Sequence, residues 1–249
     1  MELKKRIELC SEWMAGSEKL VIFTGAGIST DSGLPDYRGP DGVWTRRDRG
    51  LPPPPIKTSL SKIRPNPGHM AIVELQNIGK LWFLISQNVD NLHLKSGIRS
   101  EMLAELHGNS AIMKCMRCDR RFSKQALRWD EAKWGKGYRG SNPVRGQPKC
   151  PCGGRIISSI INFGDPMPEK EMRAAVQHSE SCDLFIAAGS SLAVSPANDI
   201  PLYAMRKGAR LIIINRGQTP LDSAAALLFR EGISEVLPVM VEKVKRLLR

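Results

Sequence analysis

The 249-residue sequence is short of aromatic residues (6%) and of histidine, of which it has four. It also lacks any apolar run approaching the ~20 residues that span a bilayer. The longest, such as Leu81 to Ser86 and Leu211 to Ile214, exclude a transmembrane helix and leave no membrane among the expected partners. The start, Met1-Glu2-Leu3-Lys4-Lys5-Arg6, leads into an amphipathic segment rather than an apolar core with a cleavage site. No secretory signal is expected, and the expected location is the cytoplasm, or the nucleus in a eukaryotic source. Cysteine is scarce, six residues, and with no export signal expected structural disulfides are not expected either, because a reducing compartment keeps thiols free. No serine-nucleophile elbow or paired-carboxylate motif is found. Acidic residues are in deficit, with 25 against 37 Lys and Arg, a formal charge of +12. Charge of that size points to nucleic acid, an acidic membrane surface or an acidic partner, and cannot choose among them. With 41% hydrophobic and 25% charged residues, disorder and a collagen-like repeat are ruled out.

What is present is an α/β rhythm. Short apolar runs at Lys19 to Thr24, Leu81 to Ser86, Ile156 to Phe163, Leu184 to Ala188 and Leu211 to Ile214 read as buried parallel strands. Helical spacing marks residues 2–16, Pro67 to Ile78, Glu169 to His178, Pro196 to Lys207 and Ile233 to Leu248. Strands alternating with helices predict a Rossmann-like parallel sheet with helices on both faces. Pro52 to Pro55 reads as a stiff surface spacer. Residues 111–155 break the rhythm and form an inserted module, which divides the chain into a catalytic domain of residues 1–110 and 156–249 and a small domain of 111–155.

Four of the cysteines lie in that module as Cys115-x2-Cys118 and Cys150-x-Cys152, two short-range pairs suited to tetrahedral S4 ligation of a structural zinc ion. A closed site of this kind leaves no position for substrate. Cys10 and Cys182 stand alone in apolar surroundings and read as buried small hydrophobes. The first strand breaks at Gly25-Ala26-Gly27 and opens a helix, a turn that lets backbone N–H groups approach a pyrophosphate or serves only as structure. Three further strand ends carry small or polar residues: Gln87-Asn88-Val89-Asp90, Gly189-Ser190-Ser191, and Asn215-Arg216-Gly217. Ligands of open α/β sheets sit beyond such ends, so the four together predict one nucleotide cleft. Among the histidines, His178 is expected on an exposed helical face and His69 as a local hydrogen-bonding residue. His107, before Gly108 and the inserted module, is the candidate general base.

Taken together, these stretches resemble the sirtuin family of NAD-dependent protein lysine deacylases along nearly the whole chain. The matching runs are Gly25-Ala26-Gly27-Ile28-Ser29, Pro35-Asp36-Tyr37-Arg38, Gln87-Asn88-Val89-Asp90, Leu92-His93, His107-Gly108, the cysteine pairs, Phe163-Gly164-Asp165, Gly189-Ser190-Ser191-Leu192 and Asn215. Gly39 to Trp44 and Arg49-Gly50-Leu51 look most like the class IV branch of sirtuins six and seven. The resemblance implies NAD and structural zinc as cofactors and acyl-lysine proteins or peptides as substrates. It implies that Ala26, Thr30, Tyr37, Arg38 and Trp44 line the phosphate and nicotinamide-ribose side, with Gly25, Gly27, Ser29 and Asp36 in the same segments. Gln87 would bind ribose. Asn88 and Asp90 would form the nicotinamide pocket and act catalytically with His107. Gly189, Ser190, Ser191, Asn215, Arg216, Gly217 and Ile233 would hold the adenosine half. The substrate peptide would lie as an added strand between Phe163-Gly164-Asp165 and the segment ending at Val194. The implied chemistry has the acyl oxygen attack the nicotinamide ribose and nicotinamide leave. His107 activates a ribose hydroxyl, and water releases free lysine and O-acyl-ADP-ribose. No protein nucleophile is needed. Three positions depart from the family pattern: Asn91 replaces a glycine, Ser190 a threonine, and Cys150-Pro151-Cys152 shortens the second pair.

Two other activities fit parts of the sequence. One is mono-ADP-ribosyl transfer to protein from the same cleft. The other is nucleic-acid or chromatin binding through residues 111–155, where twelve Lys and Arg face only Asp119, Asp130 and Glu131, a net +9. Most of the chain's charge therefore belongs to the module, and a nucleic acid or acidic partner is expected there.

Overall fold

The computed structural model describes residues 1–55 and 62–249. In chain order the first half runs α1 (Leu3–Gly16), β1 (Leu20–Thr24), α2 (Val43–Asp48), α3 (Pro67–Asn77), β2 (Leu81–Ser86), α4 (Leu92–Ser96), β3 (Leu103–Glu105), β4 (Ile112–Cys115), β5 (Arg121–Ser123) and α5 (Glu131–Trp134). The second half is β6 (Ile156–Ser158), α6 (Glu169–Ser181), β7 (Leu184–Ala188), α7 (Ile200–Arg206), β8 (Arg210–Ile214), β9 (Leu227–Phe229) and α8 (Ile233–Leu247). Six strands form a wholly parallel sheet in the order β3-β2-β1-β7-β8-β9. The order reverses between β1 and β7, the switch point outside which a doubly wound sheet binds its ligand.

Alternation along each strand decides which face each side chain serves. Leu20 and Ile22 of β1, Leu184 and Ile186 of β7, and Ile212 and Ile214 of β8 join α1, α3 and α8 in one core. The alternate residues Val21, Phe23, Phe185, Leu211 and Ile213 join α6 and α7 in the other. Each such side chain contributes roughly 1.5–3 kcal/mol by leaving water, which adds to the strand preference of the β-branched residues in these runs. Cys10 and Cys182 are buried as expected, and burial pushes each thiol up to about 12. α3 starts where the sequence places it: Asn66 Oδ1 accepts the N–H groups of Gly68 and His69 at 3.0 and 3.2 Å, and Pro67 occupies the first turn.

Four expectations need correction. The run Ile156 to Phe163 does not enter the parallel sheet; β6 pairs antiparallel with β4 in a separate sheet ordered β5-β4-β6, and residues 159–163 are irregular. It is apolar because it closes the small core of Met113, Trp129 and Ile156, which a hydrophobic run cannot distinguish from a parallel-sheet interior. The Gly25 turn opens a 3-10 stretch, Ala26–Ser32, rather than an α-helix, and Pro196 to Lys207 likewise begins as a 3-10 turn before α7. His178 is half-buried rather than exposed, its ring stacked on Phe83 at 3.8 Å between centroids. Among the described residues no helix is long and apolar enough to cross a membrane.

Candidate active site and metal centre

At the switch point the β1 and β7 turns touch through their backbones. Gly27 N–H donates to the Gly189 carbonyl at 2.8 Å, and Gly25 N–H to that of Ala188 at 3.1 Å. A Cβ on Gly189 would lie 2.4 Å from Ile28 N, and its φ of +67° is costly for any other residue. Glycine is therefore required here for close packing of the two turns.

The β2 end is tied into this corner by side chains. Asn88 Nδ2 donates to the Gly25 carbonyl and to Ser29 Oγ, both at 3.2 Å, and Ser29 Oγ donates to Asp90 at 2.7 Å. Gln87 Nε2 donates to Ser190 Oγ at 2.7 Å, joining the β2 and β7 ends. The loop after the 3-10 stretch folds on itself: Asp36 accepts from Gly39 N–H at 3.0 Å, and Tyr37, Trp44 and Phe163 form a chain of ring contacts at 4.9 and 5.6 Å, with the Arg38 guanidinium over Trp44 at 4.8 Å. At the β8 end, Asn215 Nδ2 donates to the Gly217 carbonyl at 2.9 Å, Arg216 faces Glu235 at 3.8 Å, and Ile233 is buried at the start of α8. Thr30 Oγ1 donates back to the Gly27 carbonyl at 3.0 Å.

His107 follows β3, and its Nδ1 lies 2.9 Å from the Gln87 carbonyl. A carbonyl only accepts, so Nδ1 carries the proton and Nε2 keeps its lone pair. Burial lowers the His107 pKa from 6.5, against the opposing pull of the Gln87 carbonyl, so the neutral base prevails at neutral pH. Phe163 and Gly164 are exposed, Asp165 and Val194 half-buried, all four in irregular backbone flanking β6 and β7.

Sequence reasoning missed four supports. Asn66 Nδ2 reaches from α3 to the Ile28 carbonyl at 2.6 Å. Arg230 grips the Asn215 and Gly217 carbonyls and Asp222. His69 is the local hydrogen-bonding residue expected, its Nδ1 3.0 Å from Asn66 Oδ1; what the sequence did not show is that its ring is buried 5.0 Å from that of His93 beneath the β1 end, where His93 Nε2 pairs with Thr24 Oγ1 at 2.9 Å. Burial lowers the pKa of both, that of His69 to about 4, so both are neutral. Glu105 and Asn109 are buried on either side of His107.

The four cysteines converge. Their Sγ atoms lie within 4.8 Å of one another, with closest approaches of 3.5 to 3.6 Å. Tetrahedral zinc with Zn–S near 2.3 Å needs Sγ edges of about 3.8 Å, so the set fits the ion. The shortened pair closes through Gly153 and Gly154: Gly153 N–H donates to the Cys150 carbonyl at 2.8 Å, and a Cβ on Gly154 would meet Cys115 Sγ at 2.5 Å. The switch point fits NAD by its residues: the Gly27–Gly189 backbone contact leaves no side-chain bulk there, and the polar strand ends carrying Gln87, Asn88, Ser190, Ser191 and Asn215 meet around it, as a dinucleotide site requires.

Residues 55–196 match the model of the Sir2 family. The chain is 41% identical to the NAD-dependent protein deacetylase SRT1 of Oryza sativa subsp. indica over 94% of its own length and 47% of that protein. It is 38% identical to the NAD-dependent protein deacetylase 1 of Bradyrhizobium diazoefficiens over 95% of both. The chain thus spans about half of the rice relative and nearly all of the bacterial one. Among solved structures it is similar to a Sir2 protein with a p53 peptide and NAD+, at 30% identity and a TM-score of 0.73, covering 99% of this chain and all of that one.

The purified protein is expected to carry about one zinc per chain by metal analysis. Cys115→Ala should lose the ion and the folded signature of the small sheet together, since metal affinity is folding free energy in such modules. Protein prepared without chelators that contains no zinc would contradict this assignment.

Proposed function

The chain belongs to the Sir2 family, and we propose that it works as an NAD-dependent protein lysine deacetylase whose general base is His107. The observation that carries the reading is the hydrogen bond from His107 Nδ1 to the Gln87 carbonyl, which leaves Nε2 as a neutral acceptor. Bound NAD would supply an electrophilic ribose carbon, nicotinamide as leaving group and a ribose hydroxyl as the final acyl acceptor. The residues that would hold it are those of the four strand ends: Gly25, Ala26, Gly27, Ser29 and Thr30; Gln87, Asn88 and Asp90; Gly189, Ser190 and Ser191; Asn215, Arg216 and Gly217. Asp36, Tyr37, Arg38, Trp44 and Ile233 complete the set. Asn88 and Asp90, already fixed through Ser29, would present an amide and a carboxylate without reorganisation, which is where electrostatic catalysis gains most. His107 Nε2 would take the proton of the hydroxyl it activates. Phe163, Gly164, Asp165 and Val194 would receive the peptide by backbone pairing, so side-chain selectivity would be loose.

We further propose a division into a catalytic domain of residues 1–110 and 156–249 and a zinc module of 111–155, with β6 lending its strand to the module's sheet. Class IV membership, removal of longer acyl groups and a cytoplasmic location, or a nuclear one in a eukaryote, complete the reading. A second function is favoured by one observation. Among the described residues no carboxylate lies within 4.0 Å of the exposed Arg117, Arg120, Arg128, Lys133, Lys136, Arg145 or Lys149. Cations left unpaired on one small module suit an acidic protein or nucleic-acid partner.

Incubation with NAD and an acetyl-lysine peptide should yield nicotinamide, deacetylated peptide and O-acetyl-ADP-ribose by mass spectrometry. Nicotinamide without deacetylated peptide, across short and long acyl chains, would favour ADP-ribosyl transfer and sink the reading. His107→Ala should keep the fold and lower turnover by about 10²-fold or more. Because the neutral imidazole is the active form and its pKa lies below 6.5, turnover should be flat above that pH and fall only below it. A limb centred above pH 7 would contradict the base assignment. For the module, DNA or RNA binding should weaken about tenfold or more between 50 and 200 mM salt. Absence of binding at low salt would remove nucleic acid as the partner.

A further inference from the structure

Asn91 stands where the family pattern has glycine, and its backbone shows why the position is special: φ is +66° and ψ 14°, the left-handed region. Asparagine tolerates this conformation better than most residues, yet glycine would occupy it without cost. The side chain must therefore add something. Its Oδ1 accepts a hydrogen bond from Asn109 Nδ2 at 2.9 Å. Asn109 is almost fully buried, and the same Nδ2 also donates to Glu105 Oε1 at 2.5 Å. Its Oδ1 accepts from Ala111 N–H at 2.8 Å, where the chain enters the zinc module. Glu105, also buried, turns its other oxygen toward Arg121 of β5 at 3.9 Å, and the same guanidinium is hydrogen-bonded to Glu171 of α6.

These contacts form one continuous polar path. It begins beside Asp90, passes on both sides of His107 in sequence through Glu105 and Asn109, and ends on the zinc module. The Arg121–Glu105 pair alone is weak, since the arginine side chain is 41% exposed. Its importance is that Glu105 is a buried carboxylate whose partners are few, so losing Arg121 leaves a charge to be resolved by the residues that also hold Asn109. Among the described residues, none in the path is hydrogen-bonded to the His107 ring, whose Nδ1 is held by the Gln87 carbonyl.

We propose that Asn91, Asn109, Glu105 and Arg121 are a positioning relay that locks the Asp90 loop to the His107 segment and makes that lock depend on docking of the zinc module. The relay deepens the deacetylase reading and rests on it for its link to NAD. Its mechanical content stands on geometry alone. The zinc module thereby acts on the site through β5 rather than through its metal.

The test compares the zinc-loaded full chain with Asn91→Gly, which keeps the left-handed turn and removes only the side chain, and with Arg121→Gln, which lies outside the loop. Amide hydrogen exchange of the peptide covering residues 87–95 and the dissociation constant for NAD by calorimetry are the readouts, with zinc content measured in each sample. Each variant should speed exchange of residues 87–95 and weaken NAD binding by about threefold to tenfold, the range for one lost hydrogen bond, with one zinc retained. The double variant should show little more than the larger single effect, and Arg121→Lys should restore part of it. If Arg121→Gln loses zinc or fails to fold, Glu171→Gln, which loosens the same guanidinium from the other side, should give the same pattern. Exchange in residues 87–95 within twofold of wild type in Arg121→Gln or Glu171→Gln with zinc retained, or single effects that multiply in the double variant, would overturn the relay. A wild-type chain that exchanges as described but removes no acetyl group would instead overturn the deacetylase reading.

Discussion

The hydrogen bond between the His107 imidazole and the Gln87 carbonyl is a contact from side chain to main chain, so it inherits its precision from the sheet. Gln87 N–H donates to the Thr24 carbonyl and Leu106 N–H to that of Ser86, both at 2.9 Å, which extends the parallel ladders of β1, β2 and β3 one step past their ends. The Gln87 carbonyl is thus fixed by two neighbouring strands. The base beside it is a neutral imidazole with its lone pair on Nε2, and its lowered pKa follows from burial in the same corner. Gln87 also commits its side chain to Ser190, so a single residue connects the base, the β7 end and the switch point.

Around this corner the chain has backbone closeness in place of side-chain bulk. The Gly27 to Gly189 contact brings the two halves of the sheet together at the place where the order reverses, and Asn88, Ser29 and Asp90 close the gap with side chains already hydrogen-bonded to one another. A site prepared in this way pays its ordering cost during folding rather than during each turnover. The zinc module is attached to the same corner through Arg121 and Glu105. Its metal set is self-contained, whereas its excess of positive charge is carried on exposed side chains.

The elements that sequence revealed best are those whose signal is local. Runs such as Leu20 to Thr24 and Leu184 to Ala188 have no polar interruption, Pro67 opens a helical pattern, and the cysteine pairs have metal-ligand spacing, so each could be read within ten residues. β3 and β9 were not legible because three residues give no periodicity, and β6 was misplaced because antiparallel and parallel burial look alike in a short apolar run. His178 was assigned to solvent from its polar neighbours, and only the fold shows that Phe83 lies under it. The supports of the site were hidden for one reason. Asn66 on Ile28, Arg230 on Asn215 and Asn109 on Asn91 bridge separate segments, and no pattern along one segment encodes them.

The claim on which the rest turns is that His107 is a neutral base protonated at Nδ1. Nitrogen-15 NMR of the histidine-labelled protein, with His107 assigned by comparison with His107→Ala, reads that state directly. At pH 7.5 His107 should show a protonated Nδ1 and a bare Nε2, with its titration below its ordinary 6.5. A His107 signal protonated at Nε2, or one that is still an imidazolium at that pH, would contradict it.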